Sequence, residues 1–119
     1  MKLTIDEMFF VSFEGIAQEV HTTAVKKDWW TDDDDTGGKD AKAFANFHAE
    51  ISEAWEAWVK DNPQSEKIPE FDKVSEELAD VIIRIMDYAE RRNLDVAGAL
   101  LAKMEFNKTR SSRHGGKKA

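Results

Sequence analysis

Residues 44–58 read FANFHAEISEAWEAW, and their periodicity decides the fold. Phe44, Phe47, Ile51, Trp55 and Trp58 fall on one arc at roughly 100° per residue, the signature of an amphipathic helix. Glu50 and Glu53 lie outside that arc. A spacing of three residues puts both carboxylates on one helix face, about one turn apart. The helix is expected over about Asp40 to Lys60, with the apolar arc facing the core.

A second acidic pair follows at Glu77-Leu-Ala-Asp80, in a helix expected over about Asp72 to Arg92. Val74, Leu78, Val81, Ile85 and Tyr88 form its main stripe, Glu77 projects within that arc, and Asp80 borders it. Ile83 and Met86 make the other side apolar too, and a helix that is apolar nearly all round is expected to be buried nearly all round. In so short a chain this points to a subunit interface. Two such helices packed antiparallel bring four carboxylates to one place, where they repel unless a cation joins them.

Outward from this pair, Thr4 with Glu7 reads as a capping box opening a first helix that ends near Lys26 and Lys27. Asp28 to Asp40 reads as a solvated loop on its two glycines and aspartate run, with Asp40 capping the next helix. Within it, Trp29 and Trp30 are candidates for walling a base pocket, because aromatic faces stack on nucleobases. Pro63 and Pro69 bracket a connecting loop, and Asn93 to Asp95 reads as a turn with Asp95 as N-cap of a fourth helix. There Lys103, Asn107 and Arg110 share one side. Residues 111–119 form a basic tail that, on residue types alone, reads as a disordered terminus. The expected class is all-α: an antiparallel bundle of about four main helices over residues 1–110, its core completed by oligomerisation.

Composition narrows the function. The chain has 119 residues, no cysteine and a formal net charge of -7. It fits one domain, offers no thiolate zinc site, and is poorly suited to binding a nucleic-acid polymer. No apolar run approaches membrane-spanning length and no signal-peptide core follows Met1, so a cytoplasmic location is the expectation. Clustered carboxylate oxygens suit Mg²⁺, with Mn²⁺ as the other hard cation of this kind. Such an ion with a basic stripe at Lys103 and Arg110 fits hydrolysis of a phosphate ester or anhydride. His48 reads as a helix-face or core histidine, and with no Glu-x-x-His pair the chain does not fit a di-iron bundle.

The pattern resembles a known family. His48-Ala-Glu50-Ile-Ser-Glu53, then Glu76-Glu77-Leu-Ala-Asp80, resembles the paired acidic motifs of the all-α nucleotide pyrophosphohydrolases, and within them the small MazG-like proteins. Lys103-Met-Glu-Phe-Asn107-Lys-Thr-Arg110, followed by Arg113-His114-Gly-Gly-Lys117, is similar to their C-terminal stretch. The resemblance spans about residues 44–117. It implies Mg²⁺-dependent hydrolysis of a nucleoside triphosphate to monophosphate and pyrophosphate, in nucleotide-pool control, by a homodimer or homotetramer. It implies Glu50, Glu53, Glu77 and Asp80 as metal ligands, with Glu53 as the alternative group positioning or deprotonating the attacking water. It implies Lys103, Asn107 and Arg110 as phosphate contacts, and His114 and Lys117 as a closing flap. A phosphoribosyl-ATP pyrophosphohydrolase and a non-catalytic nucleotide-binding protein are the rival readings.

Overall fold

The computed structural model describes residues 2–31 and 37–110. Among these are four helices: α1 (Ile5–Lys26), α2 (Gly37–Val59), α3 (Lys73–Arg92) and α4 (Val96–Lys108). The architecture is all-α, as the periodicity predicts, with no named strand among the described residues. The helix starts are written locally. The Thr4 hydroxyl accepts from the Glu7 N–H at 3.0 Å, and the Glu7 carboxylate accepts from the Thr4 N–H at 2.9 Å. Asp72 caps α3 through the Ser75 N–H at 2.7 Å, and Asp95 caps α4 through the Gly98 N–H at 2.8 Å. A Cβ at Gly98 would crowd the Asp95 carboxylate, so any side chain there would displace the cap. α3 ends on Asn93, whose left-handed φ of 55° turns the chain out of the helix.

The loop between α2 and α3 is pinned at several points. Asn62 accepts from the Val74 N–H at 2.9 Å, the Gln64 amide donates to the Pro69 carbonyl, and buried Ser65 donates to Glu76 at 2.6 Å. α3 is the central element, packed against α2 on one side and α1 on another, while α4 packs on α1. α2 and α3 run antiparallel, because Glu50 meets Arg84 and, further back along α2, Asp40 meets Arg92.

Two expectations need correction. α2 begins at Gly37, so Asp40 lies inside its first turn and is not its cap. Its carboxylate accepts from Arg92 Nε at 2.7 Å and from the Tyr88 hydroxyl at 3.0 Å, clamping α2 to the end of α3. The guanidinium of Arg92 holds Asp40 below its ordinary value, against burial, and Tyr88 assists. Asp32 to Asp35, the rest of the acidic run, lie outside the described residues.

The second correction concerns which face of α2 points inward. Its buried residues are Glu50, Ala54 and Ala57. Phe44, Ile51, Trp55 and Trp58 are exposed, Trp55 by 65%. Phe44 and Phe47 still pack edge-on to each other and to Tyr88, with ring centroids 5.2 to 5.9 Å apart. Small alanines let α2 approach α3 closely, so the bulky arc is left outside. α3 behaves likewise: Met86 and Ala89 are buried, whereas Leu78, Ile82 and Ile83 are exposed in the single chain. Among the described residues the buried apolar side chains are six alanines with Trp30 and Met86. The radius of gyration is 17.0 Å, against about 13 Å for a compact domain of this size. None of the described helices is long and apolar enough to cross a membrane.

Candidate metal centre

The α2–α3 contact gathers the acidic residues. One ligand oxygen each from Glu50, Glu53 and Glu77 lie within 4.8 Å of one another, and the same holds for Glu76, Glu77 and Asp80. Glu77 belongs to both groups. Glu50 is 8% exposed and Glu77 3%, Glu53 is exposed, and Asp80 is half-buried. A single turn of each helix therefore supplies carboxylates at graded depth, with Glu53 facing solvent.

Cations meet part of this charge. Lys73 lies 2.9 Å from Glu77 and 3.3 Å from Glu76, and Arg84 Nε donates to Glu50 Oε1 at 3.0 Å. The second oxygens of Glu50 and Glu77 are buried without a hydrogen-bond donor. Buried carboxylate oxygens rarely go unsatisfied, so this pair holds either a proton shared between Glu50 and Glu77 or a cation between them. The electrostatics agree. Burial, then the neighbouring Glu77, raises Glu50 from 4.5 to about 7, with Arg84 opposing. Burial would raise Glu77 too, but the Lys73 hydrogen bond, then Glu50 and Glu53, bring it below its ordinary value. Burial, then the charges of Glu77 and Glu76, raises Asp80. An all-carboxylate donor set fits a hard divalent cation.

The centre opens into a groove of about 950 Å³ between α1, α2 and α3. Glu50, Asp80, Arg84 and Lys67 stand at one end, and Trp29, Trp30, Lys39 and Lys42 line it further along. Trp30 is buried and donates its indole N–H to Asp87 Oδ2 at 2.8 Å. The other oxygen of Asp87 meets His21 Nδ1 at 2.7 Å. Asp87 thus ties α1 and the segment after it to α3. Arg91, Lys39 and Arg92 lie 5.2, 5.4 and 5.8 Å from the Trp30 ring centroid. Asp87→Ala leaves a buried indole donor unmet and is expected to lower stability by about 3 kcal/mol, read by urea denaturation. Asp87→Asn keeps an acceptor and is expected to lose clearly less. Equal losses in the two variants would contradict this role.

The residues expected from sequence divide into three sets. Glu50, Glu53 and Glu77 come together, and Asp80 joins through Glu77. Trp29 and Trp30 both line the groove, but Trp30 is fixed by Asp87 while Trp29 is 60% exposed. Lys103 and Arg110 stand 4.6 and 5.5 Å from the Phe106 ring on α4, and Asn107 accepts from Arg110 at 3.4 Å. None of these three lines the groove of its own chain. His114 and Lys117 lie outside the described residues. Sequence reasoning missed Arg84, Asp87, Lys67 and the structural Glu76. A signal existed for Arg84, which follows Asp80 by four residues and so shares its face. Comparison of the chain with protein-family models, with curated proteins and with solved structures gives no match.

Proposed function

We propose that the protein is a Mg²⁺-dependent nucleoside triphosphate pyrophosphohydrolase acting as a homodimer or homotetramer. The observation that carries the reading is the pair of buried, donor-less oxygens on Glu50 and Glu77 at the head of an aromatic-walled groove. Glu50, Glu53, Glu77 and Asp80 would hold the ion, and Mn²⁺ would substitute. When bound, the ion neutralises phosphate charge and polarises the phosphoryl group. Glu53, the solvent-facing member, accepts the proton of the attacking water as the α–β anhydride opens to monophosphate and pyrophosphate. Arg84 and Lys67 balance charge on the leaving group from within the chain. Trp29 offers an accessible indole face to the base. Lys103, Asn107 and Arg110 reach the phosphates from a second copy, since α4 lies away from its own groove.

Incubation with a panel of NTPs and dNTPs plus Mg²⁺ tests this directly. Stoichiometric pyrophosphate and monophosphate are expected. Release of single phosphate, or no turnover of any nucleotide, would refute it. A pH dependence follows as well. Glu50 has its folded value raised, so its contribution to metal-free stability is full below 4.5 and lost as pH rises through about 7. Glu77 is lowered, so its own window lies beneath 4.5 and does not overlap. A divalent ion binds the ionised form. The rise in Tm on adding Mg²⁺ is therefore expected to grow by several degrees from pH about 5 to about 8. Scanning calorimetry at both pH values measures it, and an increment that shrinks with pH would contradict it.

A further inference from the structure

The second acidic group already holds a cation of the chain's own. Lys73 Nζ lies 2.9 Å from Glu77 Oε1 and 3.3 Å from Glu76 Oε1, and both carboxylates are buried. Helical spacing puts it there: Lys73 precedes Glu76 by three residues and Glu77 by four, one turn earlier on the same face. The backbone at its root is fixed too. Asp72 caps the helix, the Lys73 N–H donates to the Pro63 carbonyl at 2.7 Å, and Asn62 accepts from the Val74 N–H. The hydrogen bond to Glu77, then that to Glu76, holds the ammonium above its ordinary value against burial, so it stays charged. Ser65 donates to the same Glu76 oxygen at 2.6 Å. The two oxygens of Glu77 therefore differ. Oε1 meets Lys73, whereas Oε2 is buried without a donor, as is Oε2 of Glu50.

We propose that Lys73 is a tethered cation standing in the place of a second divalent ion, so that each chain binds one ion and Glu76 is withdrawn from its ligands. This rests on the metal reading of the acidic centre above and adds the ion count to it. In two-metal sites the ions stand about 3.5–4 Å apart and clamp the attacking and leaving oxygens together. Glu77, common to both acidic groups, is the residue that would bridge such a pair. Here an ammonium fills one of the two places. An ion bound to the same Glu76 and Glu77 oxygens, at the about 2.1 Å that Mg²⁺ demands, would compete with Nζ for the space beside them. Expelling Lys73 would set two like charges against each other in a partly buried site, which is costly. The unpartnered oxygens of Glu50 and Glu77 lie on the side that Lys73 leaves open, and that is where the single ion belongs.

Counting Mn²⁺ on the full chain tests the assignment, by equilibrium dialysis and electron paramagnetic resonance. The wild type is expected to bind one Mn²⁺ per chain, with the hyperfine-resolved spectrum of an isolated ion. Lys73→Met vacates the second place without adding a ligand and should bind two, the spectrum broadened by coupling between neighbouring ions. Lys73→Gln keeps a hydrogen-bond donor for Glu76 and Glu77, which protects the fold, and should also bind two. Adding Glu76→Gln to Lys73→Met should restore the single ion. A lysine that serves the fold alone would leave the count at one throughout. Two coupled ions in the wild type, or one ion in both Lys73 variants, would overturn the proposal and leave the metal reading standing. No Mn²⁺ on the wild type or on either Lys73 variant would sink both.

Discussion

Glu77→Gln is expected to abolish metal-dependent pyrophosphate release, by about 100-fold or more, while leaving the helical fold intact. The two effects separate because the substitution is nearly isosteric. Glu77 is 3% exposed and shares both acidic groups, so its charge is the one that each candidate ligand set requires. Even a group one shell removed from a metal is typically worth 10–100-fold in affinity or activity, and a direct ligand is worth more. For the metal-free fold the balance differs. Glutamine keeps an acceptor for Lys73 and removes a negative charge from beside Glu50. Burying like carboxylates together is costly without a cation. The ionised Glu77–Lys73 pair is lost as well, so metal-free Tm should fall modestly, and its dependence on Mn²⁺ should vanish. Circular dichroism, calorimetric Mn²⁺ titration and a pyrophosphate assay give the three readouts. Full activity in a variant that no longer binds Mn²⁺ would remove the metal from the reaction. Full Mn²⁺ affinity would remove Glu77 from the site.

The parts of this molecule legible in its sequence are those whose cause is local. Thr4 with Glu7, Asp72 with Ser75, and Asp95 with Gly98 satisfy helix-end N–H groups within three residues, so the starts of α1, α3 and α4 can be read from the letters. The paired acidic motifs were legible for the same reason, since helical spacing alone aligns them. What the letters hid is long-range. Arg84 meets Glu50 across 34 positions, and Trp30 meets Asp87 across 57. No local pattern encodes either pairing. Asp40 misled because an aspartate after two glycines is a common helix cap, while its real partners sit at the far end of α3. The arc on α2 misled for a deeper reason. Hydrophobic periodicity identifies one apolar face without stating what covers it. In this chain the close α2–α3 contact uses the alanine and glutamate face instead.

That outward arc leads to the second large effect, expected on the proposed homo-oligomer. Trp55 is 65% exposed and Trp58 61%, and both lie on the same arc of α2 as exposed Ile51. Covering what remains exposed of each indole would remove roughly 150 Å² from water, worth about 4 kcal/mol per residue. In a two-fold assembly every such contact occurs twice. The double variant Trp55→Glu, Trp58→Glu forfeits that burial and places charges where they would be desolvated. Its dissociation constant is expected to rise by more than about 1,000-fold, so that light scattering gives the mass of a single chain, 13.6 kDa. Ser52→Glu, on the same helix but off the arc, serves as the control and should keep the wild-type mass. A wild-type chain that already runs as a monomer, or a double variant that keeps the assembly, would contradict the interface. Function then divides in a telling way. Glu50, Glu53 and Glu77 come from α2 and α3 of one chain, so the dissociated variant should still bind Mn²⁺. Lys103 and Asn107 on α4, and Arg110 just after it, lie outside their own groove, so turnover of nucleotide should be lost with the partner. Retained turnover in a proven monomer would show that the phosphate contacts come from within the chain, leaving Arg84 and Lys67 to carry that role alone.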